Sequence, residues 1–136
     1  MTGVPFVSVI LPIRNEAAFI ESSLEAVFRQ DYPSDRIEIL VVDGMSSDGT
    51  PEIVQRMFDE PTRRNDDGSA SHRAALTHME LLKNPNRIVP SGLNKAIAQA
   101  RGDIIVRVDG HAIIANDYVS QSVMALQRTG ADVVGG

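Results

Sequence analysis

The chain contains no cysteine. Disulfides, thiolate metal sites and cysteine nucleophiles are therefore excluded. Long apolar stretches are missing too. Val7–Leu11 is interrupted by Ser8, and runs such as Ile104–Val106 are short. A bilayer span needs roughly 20 apolar residues in succession, so no membrane span is expected in this chain. No basic flank followed by a long apolar core opens the sequence, which argues against a signal peptide. A basic surplus is also absent, with 18 acidic against 13 basic residues and a formal net charge of -5. Phosphate backbones are met by clustered Lys and Arg, so no nucleic-acid partner is expected. What is there is ordinary for one globular domain: 136 residues, 43% hydrophobic and 23% charged.

Periodicity alternates along the chain. Phe6–Leu11 is apolar and β-branched and predicts a buried strand that Pro12 ends. Asn15–Gln30 has apolar residues spaced by three and four, which predicts an amphipathic helix with Asn15 as N-cap. Strands are predicted again over Ile37–Val42, Met79–Leu82, Ile104–Val108 and Asp132–Val134. Helices are predicted over Thr50–Phe58, Ser91–Arg101 and Asn116–Arg128, the last two stopped by glycine. Near-continuous apolar strands joined by helical crossovers predict an α/β fold, a three-layer α/β/α arrangement on a mostly parallel sheet covered on both faces. Residues 62–78 break the pattern, being polar, small and charged. They are expected to be an insertion, either a mobile surface loop or a lid or partner-binding loop; Ala70–Leu82 could also form a short helix.

In open α/β sheets, ligands bind outside the carboxyl ends of the strands. Those ends carry Pro12-Ile13-Arg14-Asn15-Glu16, Asp43-Gly44-Met45-Ser46-Ser47-Asp48-Gly49-Thr50 and Asp109-Gly110-His111. The P-loop pattern is absent, and the first turn has no glycine, which argues against a Rossmann dinucleotide fingerprint. Asp43 can accept hydrogen bonds from a base edge or a ribose hydroxyl, or can serve a turn alone. Ser46 or Asp48 can cap the next helix. Asp109 and His111 can share a divalent cation whose remaining ligands are water and phosphate oxygens. Lys95 either faces a ligand phosphate or is solvated. Arg107, inside a covered sheet, needs a partner, most simply a carboxylate on a flanking element. His72 and His78 are read as surface residues.

Taken together, these residues resemble the family 2 glycosyltransferases, inverting enzymes of GT-A fold. Val7–Glu16 resembles the family's opening motif, and Ile39–Thr50 its Asp-containing second motif. Gly92–Asp103 resembles a third, and Asp109-Gly110-His111 stands where the family has Asp-x-Asp. The form ending in His is similar to bacterial exopolysaccharide transferases of the succinoglycan type. The resemblance implies that Pro12, Arg14, Asn15 and Glu16 line a nucleotide pocket and that Asp43 contacts the base, expected to be uracil. Ser46, in the same loop, is counted with the nucleotide-binding residues. Gly92, Asn94 and Lys95 would lie along the nucleotide. Asp109 and His111 would hold Mg2+ or Mn2+ on the diphosphate, His111 being a softer ligand.

The implied reaction moves a sugar from a nucleotide-diphosphate sugar to a hydroxyl of a saccharide or lipid-linked acceptor, with inversion, in polysaccharide or glycolipid synthesis. The implied setting is cytoplasmic, at the inner face of the membrane in a full-length protein. The family's domains run on past this length and carry their general base downstream. Residues 1–136 are thus expected to be the nucleotide-sugar-binding part of a truncated GT-A domain, with its base beyond Gly136. The alternative is a nucleotide-binding or partner-binding module without turnover. A nucleotidyltransferase ranks last, because the turn after the first strand lacks that class's glycines.

Overall fold

The computed structural model describes residues 4–59, 78–85, 89–129 and 133–135. Five parallel strands form one sheet in the order β3-β2-β1-β4-β5. They are β1 (Val7–Ile13), β2 (Ile37–Asp43), β3 (His78–Lys83), β4 (Ile104–Arg107) and β5 (Val133–Gly135). The helices are α1 (Ile20–Phe28), α2 (Thr50–Asp59), α3 (Val89–Gln99) and α4 (Tyr118–Thr129). The chain builds outward from β1 through β2 to β3, then returns to the other side of β1 for β4. The crevice between β1 and β4 is thus the switch point of the sheet, where ligands of such folds bind.

Side chains of the central strands alternate between two apolar layers, as a pleated strand requires. Val7, Val9, Leu11, Ile39, Val41 and Val106 meet Leu24 and Val27 of α1, Val54 and Met57 of α2, and Val119 and Val123 of α4. Ile10, Leu40 and Val42 turn the other way and pack with Leu82 and Ala96, the latter on α3. Complete burial of Ile20, Leu24 and Val27 follows their spacing of four and three in α1. Each such side chain contributes roughly 1.5–3 kcal/mol of apolar burial.

Several boundaries move from the expected ones, for local reasons. β1 continues through Pro12 to Ile13. Its pairing with β4 stops at Ile10, while Pro12 pairs only with Val42 of β2, so the missing N–H falls on the side with no ladder. α3 ends at Gln99 because the Arg101 N–H donates to Glu38 instead of continuing the helix. α4 begins at Tyr118 rather than Asn116. The buried Gln30 accepts the Val119 N–H and donates to the carbonyl of Ala115, so it caps the helix from outside. β3 begins at His78, the last residue of the segment expected as an insertion; that call otherwise lies outside the described residues, as do His72 and Asp132.

The start of the sheet is held by a buried carboxylate. Glu38 is fully buried and stands opposite Ser8 in the β1–β2 register. It accepts from Ser8 Oγ at 2.5 Å and the Arg101 N–H at 2.7 Å, with Arg101 Nε at 3.4 Å. The Gly102 N–H closes the group by donating to Ser8 Oγ at 2.9 Å. A Cβ on Gly102 would stand 2.6 Å from both the N and Oγ of Ser8. Glu38→Ala should lower the unfolding free energy by about 3 kcal/mol in urea titration, because it leaves the Ser8 hydroxyl and the Arg101 N–H without their acceptor, at roughly 1–3 kcal/mol each. Gly102→Ala should also destabilise, because backbone must shift. A loss for Glu38→Ala under about 0.5 kcal/mol, the level of an ordinary surface change, would refute this role.

Candidate functional site

At the opposite edge of the sheet, the loops after β1 and β2 exchange hydrogen bonds. Asn15 adopts a left-handed backbone, φ 53, which asparagine tolerates better than most residues. Its N–H donates to Ser46 Oγ at 2.7 Å, and its Oδ1 accepts the Ser47 N–H at 2.8 Å. The Glu16 N–H donates to Thr50 Oγ1 at 2.9 Å, and the Ala17 N–H to Asp48 Oδ2 at 3.1 Å. Asn15 is therefore not the N-cap expected. The next N–H groups are held by the β2 loop, and α1 starts at Ile20 after Phe19, which makes no side-chain cap bond.

Asp43, 3% exposed, organises the second loop. Its Oδ1 accepts from Ser46 Oγ at 2.5 Å and its Oδ2 from the Ser46 N–H at 3.1 Å. Its carbonyl accepts the Asn84 N–H at 2.7 Å, and the Gly44 N–H donates to the carbonyl of Ile13 at 2.8 Å. Asp48 accepts both the N–H and the hydroxyl of Thr50 at the start of α2, the turn role expected of it. The Thr50 hydroxyl bond, with backbone N–H bonds from Ala17 and Thr50, holds the Asp48 carboxyl below its ordinary value of 3.8.

These braces surround a cleft of about 420 Å³ at the switch point. Its wall includes Pro12, Arg14 and Glu16 from the β1 exit, Gly44 from the β2 exit, and Asn84 and Gly92 from the third crossover. Arg107, Asp109, Gly110 and His111 complete it from the β4 exit. Gly110 is required by close approach: a Cβ there would lie 2.6 Å from Ile13 Cγ2 and 3.2 Å from Glu16 Cγ. Two pairs of charged or ionisable groups face the cleft. His111 Nδ1 lies 3.5 Å from Glu16 Oε1, and an Arg107 terminal nitrogen lies 3.3 Å from Asp109 Oδ1.

Of the residues singled out from the sequence, Pro12, Arg14, Glu16, Gly92, Asp109 and His111 come together in this wall. Asn15, Asp43 and Ser46 brace the loops beside it. Asn94 and Lys95 are exposed on α3, and Lys95 Nζ donates to the carbonyl of Lys83 at 2.5 Å. Arg107 takes its expected carboxylate from two residues along its own chain, not from a flanking element. One wall residue, Asn84, escaped sequence reasoning. Asn84 is buried, receives Ser91 Oγ at 3.2 Å, and reaches the site only because β3 runs in register with β2 to Asp43 and Lys83.

A parallel α/β sheet with a polar cleft at its switch point, bearing Asp-x-His at the β4 exit, is the GT-A arrangement. The chain belongs to the family described as Glycosyl transferase family 2, which matches residues 8–136. It is 34% identical over 133 residues to glycosyltransferase AglE of Haloferax volcanii, covering 97% of this chain and 39% of that protein. It is 31% identical over 128 residues to the succinoglycan biosynthesis protein ExoA of Rhizobium meliloti, covering 93% and 34%. Among solved structures it resembles the mannosyltransferase PcManGT of Pyrobaculum calidifontis in complex with GDP-Man and Mn2+. That likeness has a TM-score of 0.76 and 35% identity, over 92% of this chain and 33% of that one. The fold is also that of S. aureus TarS 1-349 in complex with UDP, with TM-score 0.70, 24% identity, and 93% and 33% coverage. The chain spans between a third and two fifths of the length of these relatives.

The Asp48 brace sets a pH dependence. A carboxyl whose folded pKa lies below its unfolded value contributes stability that is full above the unfolded value and lost as pH falls through the folded one. Asp48→Asn should therefore lower the melting temperature at neutral pH, and the gap to wild type should close as pH drops below 3.8. Melting curves from pH 7 into the acid range test this; a gap that stays constant with pH would rule out the charged brace.

Proposed function

We propose that this chain forms the donor site of an inverting glycosyltransferase. The enzyme would move a sugar from a nucleotide-diphosphate sugar, UDP-linked, to a hydroxyl of a saccharide or lipid-linked acceptor in polysaccharide or glycolipid synthesis. The observation that carries the reading is the convergence of the β1, β2 and β4 exits on one polar cleft at the switch point, within a chain of this family. A cytoplasmic setting, against the inner membrane face where the acceptor is lipid-linked, belongs to the same proposal. Among the described residues no helix is long and apolar enough to cross a membrane.

In this reading Pro12, Arg14 and Glu16 flank the nucleotide, and Gly92, where a Cβ would crowd Asn84 and Val42, lies along it. Asp43, already holding Ser46 with both oxygens, offers its remaining lone pairs to an N–H of the base. Asn15 and Ser46 keep that loop in place. Asn94 and Lys95 act along the nucleotide only if their exposed side chains swing towards it.

The residues at the β4 exit fit a divalent cation. Among the described residues no three His, Asp or Glu groups gather as a metal site, so the protein offers no closed shell. One carboxylate and one imidazole on an open cleft instead suit Mg2+ or Mn2+ completed by water and diphosphate oxygens. Such an ion would neutralise the diphosphate as it leaves. In the displacement, the acceptor oxygen bonds to the anomeric carbon on the face opposite the departing diphosphate, and the acceptor proton passes to a general base. The proposal assigns that base to no residue of this chain.

A thermal-shift series with UDP, GDP and their sugars, with and without Mn2+, tests the reading. A ligand at 100 times its Kd should add about 2.7 kcal/mol to stability. The expected result is a Mn2+-dependent shift with UDP compounds, lost in Asp109→Ala and reduced in Asp43→Ala. Gly110→Ala should also bind more weakly, since its Cβ would displace Ile13 or Glu16. An equal response to ATP, or none to any nucleotide, would overturn it.

A further inference from the structure

The donor-site reading leaves Arg107 without a task. Its position in β4 pairs with Ile10 of β1, and it shares a sheet face with Ile105, which packs on the layer beneath α3. An arginine there is costly unless its charge is met. Among the described residues, what meets it is a single contact to Asp109 Oδ1 at 3.3 Å. That is long for a charge-assisted bond, which runs about 2.7–2.9 Å. The Arg107 Nε is buried and has no hydrogen-bond partner among the described residues. A guanidinium carries five donors in a planar fork that suits two-pronged contact with carboxylate or phosphate. Here most of that capacity is unspent, and the side chain is 37% exposed in the cleft wall.

Asp109 is also the carboxylate assigned above to a divalent cation. Each positive group weakens the carboxylate's hold on the other, because the two repel at short distance. A cation on Asp109 therefore leaves the guanidinium needing another anion, and a donor diphosphate brings one into the same cleft. We propose that Arg107 is an exchangeable counter-ion: it holds Asp109 while the cleft is without donor, and turns its fork onto the diphosphate when a divalent cation takes that carboxylate. The proposal rests on the donor-site reading and gives this cleft a specific diphosphate-binding side chain.

Titration calorimetry of the whole chain with Mn2+ alone, then with UDP, pyrophosphate and uridine at saturating Mn2+, tests it. Arg107→Gln should bind Mn2+ alone several-fold more tightly, since a competing cation is gone. It should bind UDP and pyrophosphate about tenfold more weakly, the ratio for losing one charge-assisted hydrogen bond, with uridine unchanged. Arg107→Lys should keep wild-type Mn2+ affinity but lose part of the diphosphate affinity. The Arg107 Nε–H resonance of the wild type gives a readout free of any folding defect. It should move on adding Mg2+ and again on adding UDP. Unchanged affinities in Arg107→Gln, or tighter Mn2+ with unchanged diphosphate binding, would overturn the exchange, as would a resonance that moves with neither ligand. If the wild type binds no nucleotide, the donor-site reading fails separately, and the Mn2+ and pyrophosphate arms still decide the role of Arg107.

Discussion

Glu38 is the constraint on which the rest of the structure depends. Its carboxylate sits with no exposed surface between the start of β1, at Ser8, and the Arg101-Gly102 turn that leads into β4. Because Ser8 and Glu38 face each other in register, one residue of slip in β2 would turn the carboxylate to the other side of the sheet and bury it without partners. The same group fixes where β4 begins, since Gly102 donates to Ser8 and the Asp103 N–H to the carbonyl of Phe6 at 2.7 Å. Three strands are thus aligned at their amino ends. Their carboxyl ends are aligned as a consequence, and that alignment brings Arg14, Gly44 and Asp109 to one cleft.

The loops at the far edge convert alignment into a rigid wall. Many of their backbone groups are satisfied across the two loops. N–H groups of Asn15, Glu16 and Ala17 go to Ser46, Thr50 and Asp48, and Asn15 repays Ser47. Left-handed backbone at Asn15 and Met45 is the conformational cost, and it persists because the surrounding bonds determine it. A wall held in this way is shaped before a ligand arrives, which limits the ordering entropy that binding must offset.

Much of this was legible in the sequence. Apolar runs such as Ile37–Val42 predict their strands because a parallel sheet buries both faces of each strand. The cluster of polar residues after those runs points to the edge that holds the cleft. What was not legible is non-local. Asn15 has the composition of a helix cap, yet its backbone serves a loop thirty-one residues away. Pro12 ends a strand by propensity, yet remains in one because β4 stops short of it. Asn84 sits in no motif and reaches the wall only through the β2–β3 register. For Arg107 the need for a partner was visible, but the identity of the partner depended on how the chain leaves the sheet after Val108.

The charges of the cleft belong to this logic. Arg107 stands against Asp109 and His111 against Glu16, so four of the five ionisable side chains in the cleft wall stand in two facing pairs, Arg14 being the fifth. Pairing keeps them partly desolvated and near the positions where a diphosphate and a cation would need them. In the donor-site proposal, binding exchanges one ion pair for another, so much of the desolvation would already be met in folding. Polar groups held in place before charge develops stabilise that charge better than solvent that must reorganise. The Gly110 turn is what permits this closeness, since any side chain there would push the β4 exit away from Ile13 and Glu16 and separate the two halves of the wall.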